Sequence, residues 1–204
     1  MSEPSAGKRR VRGWIIVAAA VAAVIVGAGL GFLIPVADPQ SELNQPALGG
    51  PFELVDQQGQ TVTDRSFAGR HMLIFFGYTY CPDVCPLTLQ NVHQALDLIG
   101  SRADKVVPIM ITIDPERDTV DLLRDYAGHF HPRQVALTGS VDQIKAVARS
   151  YGVYFARARD SGTSDYLMDH SSLVFLIGPD GRYVSHFRGA LTADEIARHL
   201  RRYL

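Results

Sequence analysis

The hydrophobic pattern splits the chain into two unequal parts. Trp14 to Ile34 is a run of 21 residues without a charge, which meets the roughly 20 residues a helix needs to span a bilayer. Lys8, Arg9, Arg10 and Arg12 precede it, so residues 1–13 read as a cytoplasmic N-terminus and everything after Pro35 as lying outside the cytoplasm. A secretory signal core is shorter, about 7–15 apolar residues ending in a small-x-small site. Pro35-Val36-Ala37 is a poor cleavage site, and the run over 14–34 reads as an uncleaved transmembrane anchor. Residues 35–50 carry Pro35, Pro39, Pro46 and Gly49-Gly50 with no apolar periodicity. This composition predicts a tether that lifts the following domain off the membrane.

Residues 51–204 alternate between two periods. Pro51 to Val55, a Gln57-to-Gln60 turn and Thr61 to Thr63 predict a short hairpin. His71 to Phe76 is a continuous apolar run of the kind found in a central strand buried on both faces. After it, Leu89, Val92, Leu96 and Ile99 recur at a helical period. Val106 to Ile113 predicts a second buried strand, weakened early by Pro108. Helices follow over Thr119 to Phe130 and Val141 to Tyr151, separated by a short strand at Val135 to Leu137. Gly152 to Ala156 reads as a strand and Asp160 to Asp165 as a polar surface loop. Ser172 to Ile177, the turn Gly178-Pro179-Asp180-Gly181 and Arg182 to Phe187 predict a terminal hairpin, and Thr192 to Leu204 a last helix. This order gives an α/β domain, a mixed sheet flanked by helices on both faces. It matches a thioredoxin-like arrangement with one transmembrane helix in front.

The formal net charge of −1 points to no partner, but it hides an asymmetry. Without Glu3 and the four basic residues before the anchor, 16 basic and 20 acidic residues remain. A mildly acidic domain does not suit nucleic acid. The chemistry lies in the only two cysteines of the chain, Cys81 and Cys85. They sit between the predicted central strand and the first helix, at a helix N-terminus, where the macrodipole and free N–H groups favour thiolate. Four residues apart within a helical turn, their Cα atoms lie about 6 Å apart, inside disulfide reach. Alternatively the helix begins at Pro86 with Cys85 as its cap. A bridge closing so short a loop restrains little of the unfolded chain, which argues against a purely structural disulfide. Redox exchange and soft-metal binding remain.

The histidines discriminate between these. His93 and His199 fall in helical patterns and read as solvated, His186 in the terminal hairpin, and His71 at the strand end away from the cysteines. His129 and His131 flank a helix end before Pro132, where cations favour the dipole, and make a weak accessory metal candidate. His170 stands in a loop before a buried strand, the loop that faces the cysteine turn in a thioredoxin-like sheet. A thioredoxin-type oxidoreductase carries Cys-x-x-Cys and a proline in that facing loop. Here the spacing is Cys-x-x-x-Cys and the loop offers Asp169-His170. Both differences favour a soft metal held by two thiolates and an imidazole, with Asp169 either tuning it from behind or simply hydrated.

Gly77-Tyr78-Thr79-Tyr80-Cys81-Pro82-Asp83-Val84-Cys85-Pro86 resembles the signature of the Sco/SenC family of membrane-anchored copper proteins. Thr112-Ile113-Asp114-Pro115-Glu116-Arg117-Asp118-Thr119 resembles its second motif and Asp169-His170-Ser171 its third, in the same order. The resemblance covers residues 48–204. It implies a thioredoxin-like fold, copper ligation by Cys81, Cys85 and His170, and a part in assembling the dinuclear copper centre of cytochrome c oxidase subunit II, as metal donor, thiol reductant or both. Tyr80 departs from the family, whose members often carry a histidine there. Asp114 to Thr119 reads on its own residues as a turn and helix start and is not assigned to copper.

The reading is therefore a copper metallochaperone and not a turnover enzyme. A thiol–disulfide oxidoreductase using Cys81 and Cys85 is the first alternative, a thiol peroxidase the second. An oxidising compartment would oxidise the cysteine pair, which predicts a thioredoxin-like thiol reductase as a further partner. The topology is directly testable. Reporter domains fused after Pro51 should be active only when they report from outside the cytoplasm, on the periplasmic side of the membrane. Cytoplasmic activity would reverse the orientation, and a mature N-terminus near Asp38 would replace the anchor with a cleaved signal.

Overall fold

In a computed structural model of the chain, residues 48–158 and 166–204 are described. They belong to a compact unit, Ala47–Leu204. The anchor segment 14–34, the tether up to residue 47 and the Asp160-to-Asp165 loop lie outside the described residues. Among the described residues no helix is long and apolar enough to cross a membrane.

Strand β1 (Glu53–Asp56) pairs with β2 (Thr61–Thr63) in the expected hairpin. Its turn is closed by Asp56, whose carboxylate accepts the backbone N–H groups of Gln58 and Gln60. Strand β3 (His71–Gly77) is buried throughout after its first residue. Helix α1 (Val84–Ile99) follows, then a 3₁₀ segment, Gly100–Lys105, and the fully buried β4 (Val106–Thr112). Helix α2 (Val120–Gly128), β5 (Val135–Thr138) and α3 (Val141–Ser150) come next. Strands β6 (Phe155–Arg157) and β7 (Met168–His170) precede the hairpin of β8 (Leu173–Ile177) and β9 (Tyr183–Arg188), and α4 (Ala193–Leu200) is the last helix.

Seven strands form one mixed sheet in the order β2-β1-β5-β4-β3-β8-β9. β3, β4 and β5 are parallel, and the hairpins at either edge are antiparallel. Pro108 sits inside β4 without cost on the β5 side, because that pairing begins only at Ile109 and Val135. The register of β3, β4 and β5 aligns Phe75, Met110 and Ala136 on one face. Helices α1 and α4 pack together on that side, and Leu123 and Ala127 of α2 close over Ala136. The alternate face carries Phe76 and Phe175, which meet the ring of Tyr151 just past the end of α3. Side chains cap three helices where the sequence offers them: Thr119 for α2, Ser140 for α3 and Thr192 for α4.

The sheet-and-helix order is as expected, with two departures in the segments around it. The strand expected at Gly152 to Ala156 does not join the main sheet. It forms β6 and pairs antiparallel with β7, so His170 lies in a strand, opposite Phe155, and not in a loop. Each strand is three residues long, too short to show an alternating pattern, and their pairing spans a polar stretch. Helix α1 also begins at Val84, two residues before Pro86. Pro86 still falls within its first turn, where the missing N–H has no intrahelical acceptor to lose.

The aromatic layer behind the sheet sets much of the stability. Phe175 is 1% exposed and meets Tyr151 and Phe76 edge-on, at centroid distances of 5.3 and 6.1 Å. Phe175→Ala should lower the unfolding free energy of the soluble domain by about 3–5 kcal/mol, read from urea denaturation curves with an unchanged slope.

Candidate metal centre

Strand β3 delivers the chain to the site and ends at Gly77. A Cβ at that position would lie 2.9 Å from the Cys85 sulfur and 2.6 Å from the Phe75 ring. The glycine leaves the gap that the Cys85 side chain fills. The next residues turn through Tyr78, Thr79 and Tyr80 to Cys81, and the Cys81 N–H returns to the Tyr78 carbonyl at 3.3 Å. Asp83 occupies the cap position of α1, yet its side chain accepts no capping bond. The free N–H of Cys85 points at the Cys81 sulfur instead, at 3.4 Å. Sulfur takes the place of the usual oxygen cap, and the positive helix end lies against it.

His170 reaches the pair from β7. Its Nε2 lies 3.6 Å from the Cys85 sulfur. Its Nδ1 lies 3.3 Å from the Ser171 carbonyl oxygen, and Nε2 is the ring nitrogen that faces the sulfurs. The ring stands edge-on to Tyr78 and Phe75, at centroid distances of 5.9 and 6.2 Å. The Tyr78 hydroxyl also accepts the Met168 N–H at 3.1 Å and so ties β7 to the cysteine turn. The donor atoms of Cys81, Cys85 and His170 all lie within 4.8 Å of one another. Ligands sharing one ion at bond lengths near 2.0–2.3 Å are at most about 4.6 Å apart, so the trio is nearly closed on an ion-sized space. Neither cysteine is in a disulfide here, and Cys85 is fully buried and Cys81 almost so.

The two sulfurs are not equivalent. The Cys85 thiol donates to Cys81, and this outweighs burial and lowers the Cys81 pKa to about 4, with His170 and the N–H groups of Asp83 and Cys85 assisting. The same shared proton, together with deeper burial, pushes Cys85 far up. The reduced pair is therefore one thiolate and one thiol.

The remaining expectations sort clearly. Asp169 is exposed, and strand alternation puts it on the face opposite His170, as a solvated carboxylate. His93 is buried at 6% exposure, not solvated, because it lies on the inner stripe of α1. Its Nε2 meets Gln134 at 2.8 Å, and burial lowers its pKa. His129 turns Nδ1 to the Asp125 carbonyl, and His131 accepts the Arg133 N–H. Neither joins a metal-ligating group of three among the described residues. His199 is half-buried and bonds to Ser185, and His186 is bonded to Tyr183.

Asp114 to Thr119 does form the expected turn and helix start, and it also brackets the cysteine turn. Asp114 accepts from Arg117 at 2.5 Å and from the Tyr166 hydroxyl at 2.7 Å. The Arg117 guanidinium lies between the rings of Tyr166 and Tyr80, 3.7 and 4.6 Å from their centroids. Asp118 binds Thr79. A sequence shows a turn and a cap here, and only the fold shows what they hold.

A thioredoxin-like domain thus brings two helix-end thiols and an imidazole to one point, a group of donors that could hold a metal ion. The SCO1/SenC family profile matches residues 40–204, and the chain belongs to that family. It is 40% identical over 170 residues to the human protein SCO1 homolog, mitochondrial, a match covering 80% of this chain and 56% of that protein. It is 40% identical over 150 residues to the SCO2-like protein of Rickettsia prowazekii, covering 73% of each. The solved structure of Bradyrhizobium japonicum ScoI with copper bound is 46% identical, with a TM-score of 0.70, and the match covers 78% of this chain and all of that one.

The asymmetry of the sulfurs gives a pH signature. Cys81 ionises near pH 4 in the folded domain and near 8.5 in an unfolded chain. Its depressed pKa stabilises the fold above the unfolded value, and this is lost as pH falls toward 4. Iodoacetamide should label Cys81 of the reduced domain at a nearly constant rate from pH 6 to 8 and spare Cys85. A rate rising about tenfold per pH unit over that range would show an ordinary thiol.

Proposed function

We propose that the protein is a copper metallochaperone that holds copper through Cys81, Cys85 and His170. The observation that carries this reading is the convergence of their three donor atoms within 4.8 Å, in a chain of the SCO1/SenC family. Two soft sulfurs and one imidazole suit Cu(I) in preference to hard cations. The copper-bound state of the Bradyrhizobium relative, 46% identical, supports the same cargo. The anchor over residues 14–34 would hold the domain on the outer side of a bacterial plasma membrane or a mitochondrial inner membrane. There the family resemblance assigns it to assembly of the dinuclear copper centre in cytochrome c oxidase subunit II.

Copper uptake and redox state are linked. Ligation needs free sulfurs, so a Cys81–Cys85 disulfide and bound copper exclude one another. Reducing that disulfide to the thiolate–thiol pair takes two electrons and one proton, and a thioredoxin-like thiol reductase outside the cytoplasm would supply the electrons. The thiolate character of Cys81 also fits a thiol–disulfide oxidoreductase, but that activity does not need an imidazole turned toward Cys85.

The test is a Cu(I) titration of the reduced soluble domain against a chromophoric chelator. One equivalent should bind, and Cys81→Ser or Cys85→Ser should abolish tight binding, because a hydroxyl stays protonated and hard. His170→Ala should weaken it at least about tenfold, ~1.4 kcal/mol, and alter the Cu(II) absorption spectrum. Wild-type affinity and spectrum in His170→Ala would overturn the three-ligand site. A reduced domain that binds no copper but exchanges disulfides with generic substrates would make it an oxidoreductase.

A further inference from the structure

The turn that carries Cys81 is neither helix nor strand, yet a metal site must hold its donors to within about 0.5 Å. The tie that fixes this turn comes from Asp118, 37 positions away. The Thr79 N–H donates to its carboxylate at 3.1 Å and the Thr79 hydroxyl at 2.5 Å. The hydroxyl of Thr112, the last residue of β4, donates to it at 2.6 Å and itself accepts the Asp114 N–H at 2.9 Å. From β5, the Thr138 hydroxyl donates to the Asp118 backbone carbonyl at 3.2 Å. Asp118 thus ties β4, through its carboxylate, and β5, through its backbone carbonyl, to the residue two positions before Cys81.

Asp118 is 0% exposed, and a carboxylate so placed is costly unless its acceptors are filled. They are filled by uncharged donors, and among the described residues no cation pairs with it. A residue needed only to start α2 could stay at the surface, as the capping Thr119 does. The burial therefore serves the contacts with Thr79 and Thr112.

We propose that Asp118 is the positioning residue of the metal centre, which anchors the cysteine turn through Thr79 and so sets the place of the Cys81 sulfur relative to Cys85 and His170. Its effect on copper rests on the ligand reading above, whereas its effect on the geometry of the two sulfurs does not. Thr79→Val keeps the size and the N–H but removes the hydroxyl donor, Thr79→Ser keeps both donors, and Asp118→Asn keeps the size but removes the charge.

The experiment measures two quantities on each purified soluble domain whose circular dichroism and melting confirm that it is folded. One is Cu(I) affinity against a chromophoric chelator. The other is the equilibrium with oxidised glutathione, in which the thiolate–thiol pair gives up two electrons and one proton and becomes the Cys81–Cys85 disulfide, the second proton that the two glutathione thiols take up coming from water. Thr79→Val and Asp118→Asn should lower Cu(I) affinity by roughly 10–100-fold, as loss of a partner behind a ligand does. They should also lower the disulfide-forming constant at least about fivefold as the sulfurs lose their fixed spacing. Thr79→Ser should stay within about twofold of wild type in both. If folded Thr79→Val retains wild-type values for both, the proposal is overturned, and the Thr79 pair decides should Asp118→Asn fail to fold. If the wild-type domain binds no Cu(I), the copper reading falls by itself and the glutathione equilibrium alone decides the role of Asp118.

Discussion

The site depends on an absent side chain. β3 is buried to its last residue, and at that residue, Gly77, the sheet surface opens by the volume of one side chain. The Cys85 sulfur enters the opening and is fully buried there. Any larger residue would drive it off or displace Phe75, the ring that stands edge-on to His170. Seating Cys85 fixes the first turn of α1, and with it the N–H that points at Cys81. The position of one sulfur against the sheet thus determines where the helix starts and where the second sulfur finds a donor.

The third donor is placed by an independent route. β7 is too short to be stable as an isolated strand pair. It is held by β6, by the bond from its Met168 N–H to Tyr78, and by the Ser171 N–H on the Tyr154 carbonyl. Tyr78 belongs to the cysteine turn, so the segment bearing His170 and the segment bearing the cysteines share an anchor. The two segments are therefore positioned with respect to one another through Tyr78.

Much of this was readable from the residues, and the exceptions have a common cause. Apolar runs marked β3, β4 and β8 because strands buried on both faces need no alternation. The thiols at the helix start and the lone Asp169-His170 segment marked the three side chains that the fold brings together. β7 was hidden because a three-residue strand has no period of its own. Asp118 was hidden because Asp-Pro followed by acidic residues and Thr is what a turn and cap require. Nothing in that pattern distinguishes a solvated carboxylate from one with 0% exposure holding Thr79. His93 was misread as solvated because a helical stripe with a polar member looks the same whether Gln134 waits opposite it or water does. Each exception is a contact between residues distant in sequence, decided by packing.

On the proposed copper reading, the charge state of the sulfurs would suit the pocket to a monovalent soft cation. One thiolate at Cys81 and one thiol at Cys85 give the empty pair a single negative charge. On the proposed copper reading, Cu(I) takes the place of the Cys85 proton. Two thiolates and one monovalent ion again sum to a single negative charge. Because the sulfurs are buried, a change in net charge would be opposed by the cost of desolvating it. Exchange of a proton for Cu(I) avoids that cost, whereas loss of the Cys85 proton without a metal does not. The helix end, which already stabilises one negative charge, then faces the same charge before and after loading. On that reading copper would enter and leave without a change in the electrostatic load on the fold.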